Sequence, residues 1–361
     1  MNARGAAVTP RERFLRRILQ VPVPPGERPS VGNAVSIDTA ELMEATGCFF
    51  PEAHLDPAAM AGLAAAGYEV LGYDTIAPVF SVQQEAAALG CEINWGRADM
   101  MPDVVGRRCR TAQDIEVPED FLQHPACAVV LEALRLLRRD YPHVALIGKV
   151  FGPWTLAYHL FGVEPFLIMT LDAPEQVLDI LRRLQDVPAL FARAQLASGA
   201  DAVTVADHAT GDLVSGRMYR ELLWPIHCEL SRAIPGPTIL HICGNTLDRL
   251  PDIARTGFTC FHFESKVPAS AARAALTLAF SRSRLARMRS ACTAATSRPL
   301  ATACCSAASI AACVGTASSS ATATAALRPI ARLSPSAAST RTPRWRAVQR
   351  RALSSYDARS G

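Results

Sequence analysis

Lysine is almost missing from this chain. Only Lys149 and Lys266 occur among 361 residues, although Lys and Arg together number 37, a bias that points to GC-rich codons. Long apolar runs are missing too. Charge or proline interrupts each one well short of a membrane span, so no membrane partner is expected. The first residues, MNARGAAVTPRERFLRRIL, are basic but carry no apolar h-region and no small-residue cleavage site, so no secretory signal is expected. The 11 cysteines form no paired framework, which favours reduced thiols and a cytoplasmic location. A glycine-rich dinucleotide fingerprint is absent as well. The net charge of +4 conceals two opposite regions. Of 37 basic and 33 acidic residues, 13 and one respectively lie after position 276, leaving −8 before it and +12 after it. No nucleic-acid partner is read from that balance.

Half of the residues are apolar, enough for one large domain with a substantial core. Up to residue 276 the chain alternates strand-like and helix-like patterns. Arg11–Leu19 is predicted as a short helix opened by Thr9-Pro10, since proline suits the first helical position. Apolar strand candidates are Ser30–Ser36, Tyr68–Ile76, Val144–Val150, Ala202–Asp207, Thr238–Cys243 and Cys260–Glu264. Helical patterns between them include Pro57–Ala66, Pro125–Arg139, Pro174–Leu196 and Gly216–Arg232. Strands apolar on both faces suit a parallel sheet covered by helices. Repeated strand–helix units without a dinucleotide fingerprint predict an α/β fold, a TIM (β/α)8 barrel rather than an open sheet. Several strands end in polar or reactive residues: Asp74, Gly152-Pro153-Trp154, Asp207-His208, His241 with Cys243, and Glu264. In a barrel these ends share one rim, where active sites are built.

The stretch TILHICGNT, Thr238 to Thr246, places His241 and Cys243 at a strand end before a Gly-Asn turn. Alternation puts both side chains on one face. They read either as a buried thiol beside a satisfied histidine or as two ligands of a catalytic zinc, which takes three protein ligands and keeps one position open. Asp207 reads as a cap or as a rim carboxylate. Glu264 reads as an ion pair with neighbouring Lys266 or as a second rim carboxylate. Gly152 and Trp154 open a helix whose first N–H groups suit an anion, although Pro153 alone explains a helix start. Cys91, Cys109 and Cys228 lack paired spacing and read as structural thiols.

Taken in order, RERFLRRIL, GYDTIAPVFSVQQEAAALGCEINWG, KVFGPWTLAYHLFG, GADAVTVADHATGDLVS, LHICGNTLDRLPDIARTGF and FHFESKV resemble the uroporphyrinogen decarboxylase superfamily. Within it they resemble the corrinoid-linked branch that includes the methylcobamide:coenzyme M methyltransferases. The resemblance implies a barrel with its site at the C-terminal rim, and zinc held by a His-x-Cys motif and a distant cysteine. His241 and Cys243 match the first two ligands. It further implies a methyl-corrinoid co-substrate carried by a corrinoid protein, and a small thiol acceptor such as coenzyme M. Asp207 and Glu264 are the expected catalytic carboxylates, with Gly152 and Trp154 on the cofactor side. Two alternatives stand beside this one: a decarboxylase, and a non-catalytic corrinoid-binding protein. Decarboxylases of the family carry an Arg-Gln-Ala-Gly-Arg loop that grips substrate carboxylates; the corresponding RPSVGNAVSIDTAELMEATG has no such motif.

The resemblance spans residues 11 to about 275, within a barrel domain expected at residues 1–276; residues 277–361 are a low-complexity Ala/Ser/Arg/Thr segment with no Lys, no Glu and Asp357 alone for acid. The family's last two strands and its third-ligand segment are expected there, and none is recognisable. Cys292, Cys304, Cys305 and Cys313 lie in no such context. A disordered basic tail is one reading; a frameshift is the one favoured. One GC-rich choice of codons for Ser334–Arg346, read from its third base, encodes Ala-Glu-Cys-Gly-Val-Asp-Pro-Asp-Ala-Pro-Leu-Ala, with the Cys codon across Ser336 and Ala337, so the sequence is compatible with a shifted frame. A barrel lacking two strands exposes sheet edges, so the chain as written is expected to fold poorly and lack activity.

Overall fold

The computed structural model describes residues 7–22 and 24–275. In chain order its strands are β1 (Thr75–Ile76), β2 (Glu92–Asn94), β3 (Asp103–Val105), β4 (Ala145–Phe151), β5 (Ala202–Ala206), β6 (Thr238–Ile242) and β7 (Cys260–Phe263). Five form one parallel sheet in the order β1-β4-β5-β6-β7, while β2 and β3 pair antiparallel as a separate hairpin. Helices connect the parallel strands: Pro125–Asp140 precedes β4, Asp186–Ala197 precedes β5 and Trp224–Ala233 precedes β6. The chain is thus α/β, of the barrel class its strand–helix repeat predicts. The two strands expected to close the barrel, and the boundary at 276/277, concern residues outside those described. Among the described residues no helix is long and apolar enough to cross a membrane.

Alternation along the strands separates two faces. Leu146 and Val150, Val203 and Val205, Leu240 and Ile242, and Phe261 and Phe263 join the large core under the helices. On the other face, Ala145, Ile147, Ala202 and Ile239 pack with Phe14 and Ile18 of the helix Pro10–Ile18, which closes the bottom of the sheet. Moving toward the C-terminal ends, the same inner face changes character. Register aligns Lys149 with Thr204, Thr204 with Ile239 and Ile239 with Cys260; the next row is Phe151, Ala206, His241 and His262. Cys243 and Glu264 follow one alternation further on. A dry floor therefore supports a polar rim.

Two predicted strands are corrected. Tyr68–Ile76 is mostly not strand, because the alanine-rich helix Pro57–Glu69 runs on through Tyr68, and the chain then turns at Gly72 (φ 70°). Only Thr75–Ile76 pairs, with Ala145 and Leu146. Asp74 consequently precedes its strand and lies at the opposite end from the rim. There it is gripped by Arg13 (2.7 Å) and Arg28 (2.7 Å) and accepts the Val31 N–H (2.9 Å). Ser30–Ser36 forms no ladder. Side chains bind it instead: Asn33 N–H donates to Thr75 Oγ1 (3.1 Å), and Thr204 Oγ1 donates to the Ala34 carbonyl (2.5 Å). Among the helices, Pro174–Leu196 divides at Gln185. Gly216–Arg232 contains a wide π turn over Tyr219–Leu223, where Pro225 lacks the N–H that an α turn would use.

Candidate functional site

His241 lies in the last turn of β6 pairing and Cys243 just beyond it, both on the inner face. The Cys243 thiol and His241 Nε2 are 3.0 Å apart. His241 Nδ1 lies 3.1 Å from the His262 carbonyl oxygen and 2.9 Å from His262 Nδ1. Burial, and then His262, push the His241 imidazole down to about 3, so it is neutral across the physiological range. With its Nδ1–H donated to the backbone carbonyl, the Nε2 lone pair faces Cys243. Burial, followed by Glu264, holds the Cys243 thiol above its ordinary range, while Lys149 and Lys266 pull it back. Both lysines of the chain therefore act on this one thiol.

A sharp turn follows. Gly244 adopts φ 77°, and a Cβ there would sit 3.0 Å from Thr210 Oγ1. Its N–H donates to Glu264 Oε2 at 2.5 Å. The expected Glu264–Lys266 ion pair is replaced: Lys266 faces Asp212 at 3.4 Å, and Glu264 fastens the end of β7 to the turn after Cys243.

Asp207 stands at the end of β5, wholly buried. Its Oδ1 accepts the Thr155 backbone N–H (2.7 Å) and hydroxyl (3.0 Å), and its Oδ2 faces His227 Nε2 (3.0 Å). His227 Nδ1 is in turn 3.0 Å from the Tyr219 hydroxyl. The helix Pro153–Phe161 thus receives an anion at its N-terminus, and that anion is the chain's own carboxylate. Gly152 permits it: a Cβ there would lie 2.2 Å from Asp207 Cγ. Trp154 is fully buried and packs edge-on against Phe166, with centroids 5.1 Å apart.

Sequence reasoning missed three buried polar groups, one on the inner face of a strand and two on helices. Lys149 is 5% exposed and contacts Ser36 Oγ at 3.2 Å. Burial lowers it to about 8, with Asp38, Glu85 and Cys243 opposing. Glu85, fully buried, takes the Phe151 N–H on Oε1 (2.9 Å); burial raises it to about 8. His54 is stacked on Phe50 at 4.0 Å and is pushed down to about 4 by burial, then by Lys149. The available signal was the sequence ALIGKVF, a strand apolar but for one of only two lysines.

The donor pair fits a metal in its chemistry: a neutral imidazole whose second nitrogen is fixed by a carbonyl, beside a thiol. Among the described residues, however, no group of three or more His, Cys, Asp or Glu side chains could hold an ion. The fold and these groups define an α/β-barrel protein with a histidine–cysteine pair at the rim. The family model described as uroporphyrinogen decarboxylase (URO-D) matches residues 9–285, and the chain belongs to that family. It is 35% identical over 235 residues to a methylated-thiol–coenzyme M methyltransferase of Methanosarcina mazei, covering 64% of this chain and 64% of that relative. It is 34% identical over 249 residues to the methylcobamide:CoM methyltransferase MtaA of Methanosarcina barkeri, covering 67% of this chain and 73% of the relative. A solved methyltransferase from Methanosarcina mazei superposes with a TM-score of 0.71 at 30% identity, covering 75% of this chain and 80% of that one.

Proposed function

We propose that this chain transfers a methyl group from a methyl-corrinoid, carried by a corrinoid protein, to a small thiol of the coenzyme M kind. The observation that carries the reading is the His241–Cys243 pair: two metal-type donors 3.0 Å apart, one at the end of β6 and one just beyond it, with the imidazole kept neutral and oriented by the His262 carbonyl. The names of the relatives give the same chemistry. His241 and Cys243 would hold zinc, which when bound makes a substrate thiol acidic enough to be a thiolate near neutral pH. In the reaction the thiol loses its proton, sulfur bonds to the methyl carbon as the cobalt–carbon bond breaks, and the electron pair stays on cobalt. The chain's own groups surround that event. His262 orients His241, Glu264 holds the turn after Cys243, and the apolar floor of Ile147, Ala202 and Ile239 excludes water from below. Asp207 takes a positioning part, fixing β5 to the helix that starts at Pro153.

We assign the third ligand to the alternate reading frame, across the codons of Ser336 and Ala337, and not to a residue of the chain as written; the nucleotide sequence from about codon 270 onward tests that. The reading as a whole is tested by zinc analysis together with methylcobalamin demethylation in the presence of thiols. One zinc per chain and thiol-dependent demethylation, both lost in Cys243→Ser, are expected of the product of the restored reading frame, and neither of the chain as written, which lacks the third ligand. Decarboxylation of a porphyrinogen without metal would replace the reading with a decarboxylase. Corrinoid binding without turnover would replace it with a binding protein.

A further inference from the structure

Lys149 is a buried cation without an ion pair. Its ammonium contacts the Ser36 hydroxyl at 3.2 Å and lies over the Phe151 ring at 5.5 Å; among the described residues no carboxylate oxygen is within 4.0 Å of it. Asp38 acts on it only at longer range. A charge taken out of water calls for a partner. Near it, two further buried side chains have atoms that nothing in the chain satisfies. Glu85 Oε2 has no hydrogen-bond partner, and neither nitrogen of His54 has one. Both groups are within electrostatic reach of Lys149. Glu85 Oε1 already accepts the Phe151 N–H, so the carboxyl proton belongs on Oε2, where it has no acceptor. Lys149 has N–H donors beyond the one facing Ser36, and His54 has one N–H in its neutral form. The cluster therefore has an excess of donors. Water answers such a need weakly; an anionic oxygen answers all of it.

We propose that Lys149, Ser36, Glu85 and His54 form a subsite for the single anionic group of the thiol substrate, such as a sulfonate or carboxylate. The inference rests on the thiol reading and narrows it. One lysine matches one anionic group, whereas the four acetates of a porphyrinogen would require several cations. Lys149 lies on the same inner face as the His241–Cys243 pair, one register row before His241, and acts electrostatically on Cys243. Ser36, on the Lys149 ammonium, is itself partly exposed.

Having only two lysines makes the test direct. The full chain, labelled with 13C at the lysine ε-carbon, gives two resonances, assigned with Lys266→Met. Ethanesulfonate and propionate, which carry the anion without a thiol, should shift the Lys149 signal saturably and leave Lys266 in place; propanol should move neither. Lys149→Met should weaken ethanesulfonate binding at least tenfold by calorimetry, while Glu85→Gln, which keeps a donor at the same place, should retain it. An unmoved Lys149 signal, or equal binding by wild type and Lys149→Met, overturns the subsite. If Lys149→Met does not fold, the wild-type resonances alone decide. Anion binding without methyl transfer would leave the subsite standing and sink the thiol reading; methyl transfer with a still Lys149 signal would do the reverse.

Discussion

Two buried polar clusters lie at the rim, and they differ in how their hydrogen bonds are met. Around Asp207 the bonds run within the chain: Thr155 twice, His227, and from His227 to Tyr219. Around Lys149 they do not: Glu85 Oε2 and both His54 nitrogens have no partner, and the ammonium has a hydroxyl and a ring. Buried polar groups are ordinarily paired, so a closed network is architecture and an open one is a place for something else. The two clusters therefore differ in what the chain leaves unmet, and the proposed subsite falls on the open one.

The largest effect is expected from opening the closed network. Asp207→Ala would leave the Thr155 N–H and hydroxyl and the His227 imidazole without their acceptor, all buried. Removing one member of such a buried set costs about 3–5 kcal/mol. Urea unfolding of the two proteins measures it, and a loss below about 1 kcal/mol would show that the Asp207 network is not structural.

How much of this was legible depends on whether a signal is local. The parallel strands 145–151, 202–206, 238–242 and 260–263 were readable within a residue or two, because each is a short apolar run bounded by turn residues. His241 and Cys243 were readable as a same-face pair because alternation is a property of one strand. Strand Tyr68–Ile76 failed because an apolar run carries no periodicity that separates helix from strand, and the alanines decided for helix. The hairpin β2–β3 went unread because its strands are three residues long and mostly exposed. Asp207 was readable as a carboxylate at a strand end, but its partner was not: the Thr155 backbone N–H on its oxygen comes from 52 residues away. Glu85 was invisible for the same reason: what makes it unusual is the Phe151 N–H, 66 residues away, and the burial the fold imposes. Lys149 alone was displayed in the sequence, as a charge in an apolar strand.

A middle-sized effect sharpens the open cluster through pH. Glu85 titrates at about 8 in the fold against an ordinary value of 4.5, mainly through burial. A raised folded value means that the fold holds the proton more tightly than the unfolded chain. That contribution is whole below about 4.5 and is lost as pH rises toward about 8. Glu85→Gln has no proton to lose. Wild type should therefore lose more melting temperature between about pH 5 and about pH 8 than Glu85→Gln does. Lys149 titrates in both proteins and cancels to first order. Equal pH slopes would mean that Glu85 is ionised in the fold, and the donor at Oε2 would be gone.

The smallest effect belongs to the second lysine. Lys266 faces Asp212 at 3.4 Å with side chains 56% and 63% exposed, so water and salt screen the pair. Lys266→Met should change stability by about 0–1 kcal/mol, and less at high salt. Thermal unfolding at low and high ionic strength measures both. A loss above about 2 kcal/mol would place Lys266 among the residues that hold the rim, because screened pairs do not reach that size. The two lysines would then differ in kind rather than in exposure, one fastening the turn region near Cys243 from outside and the other left open to an anion within.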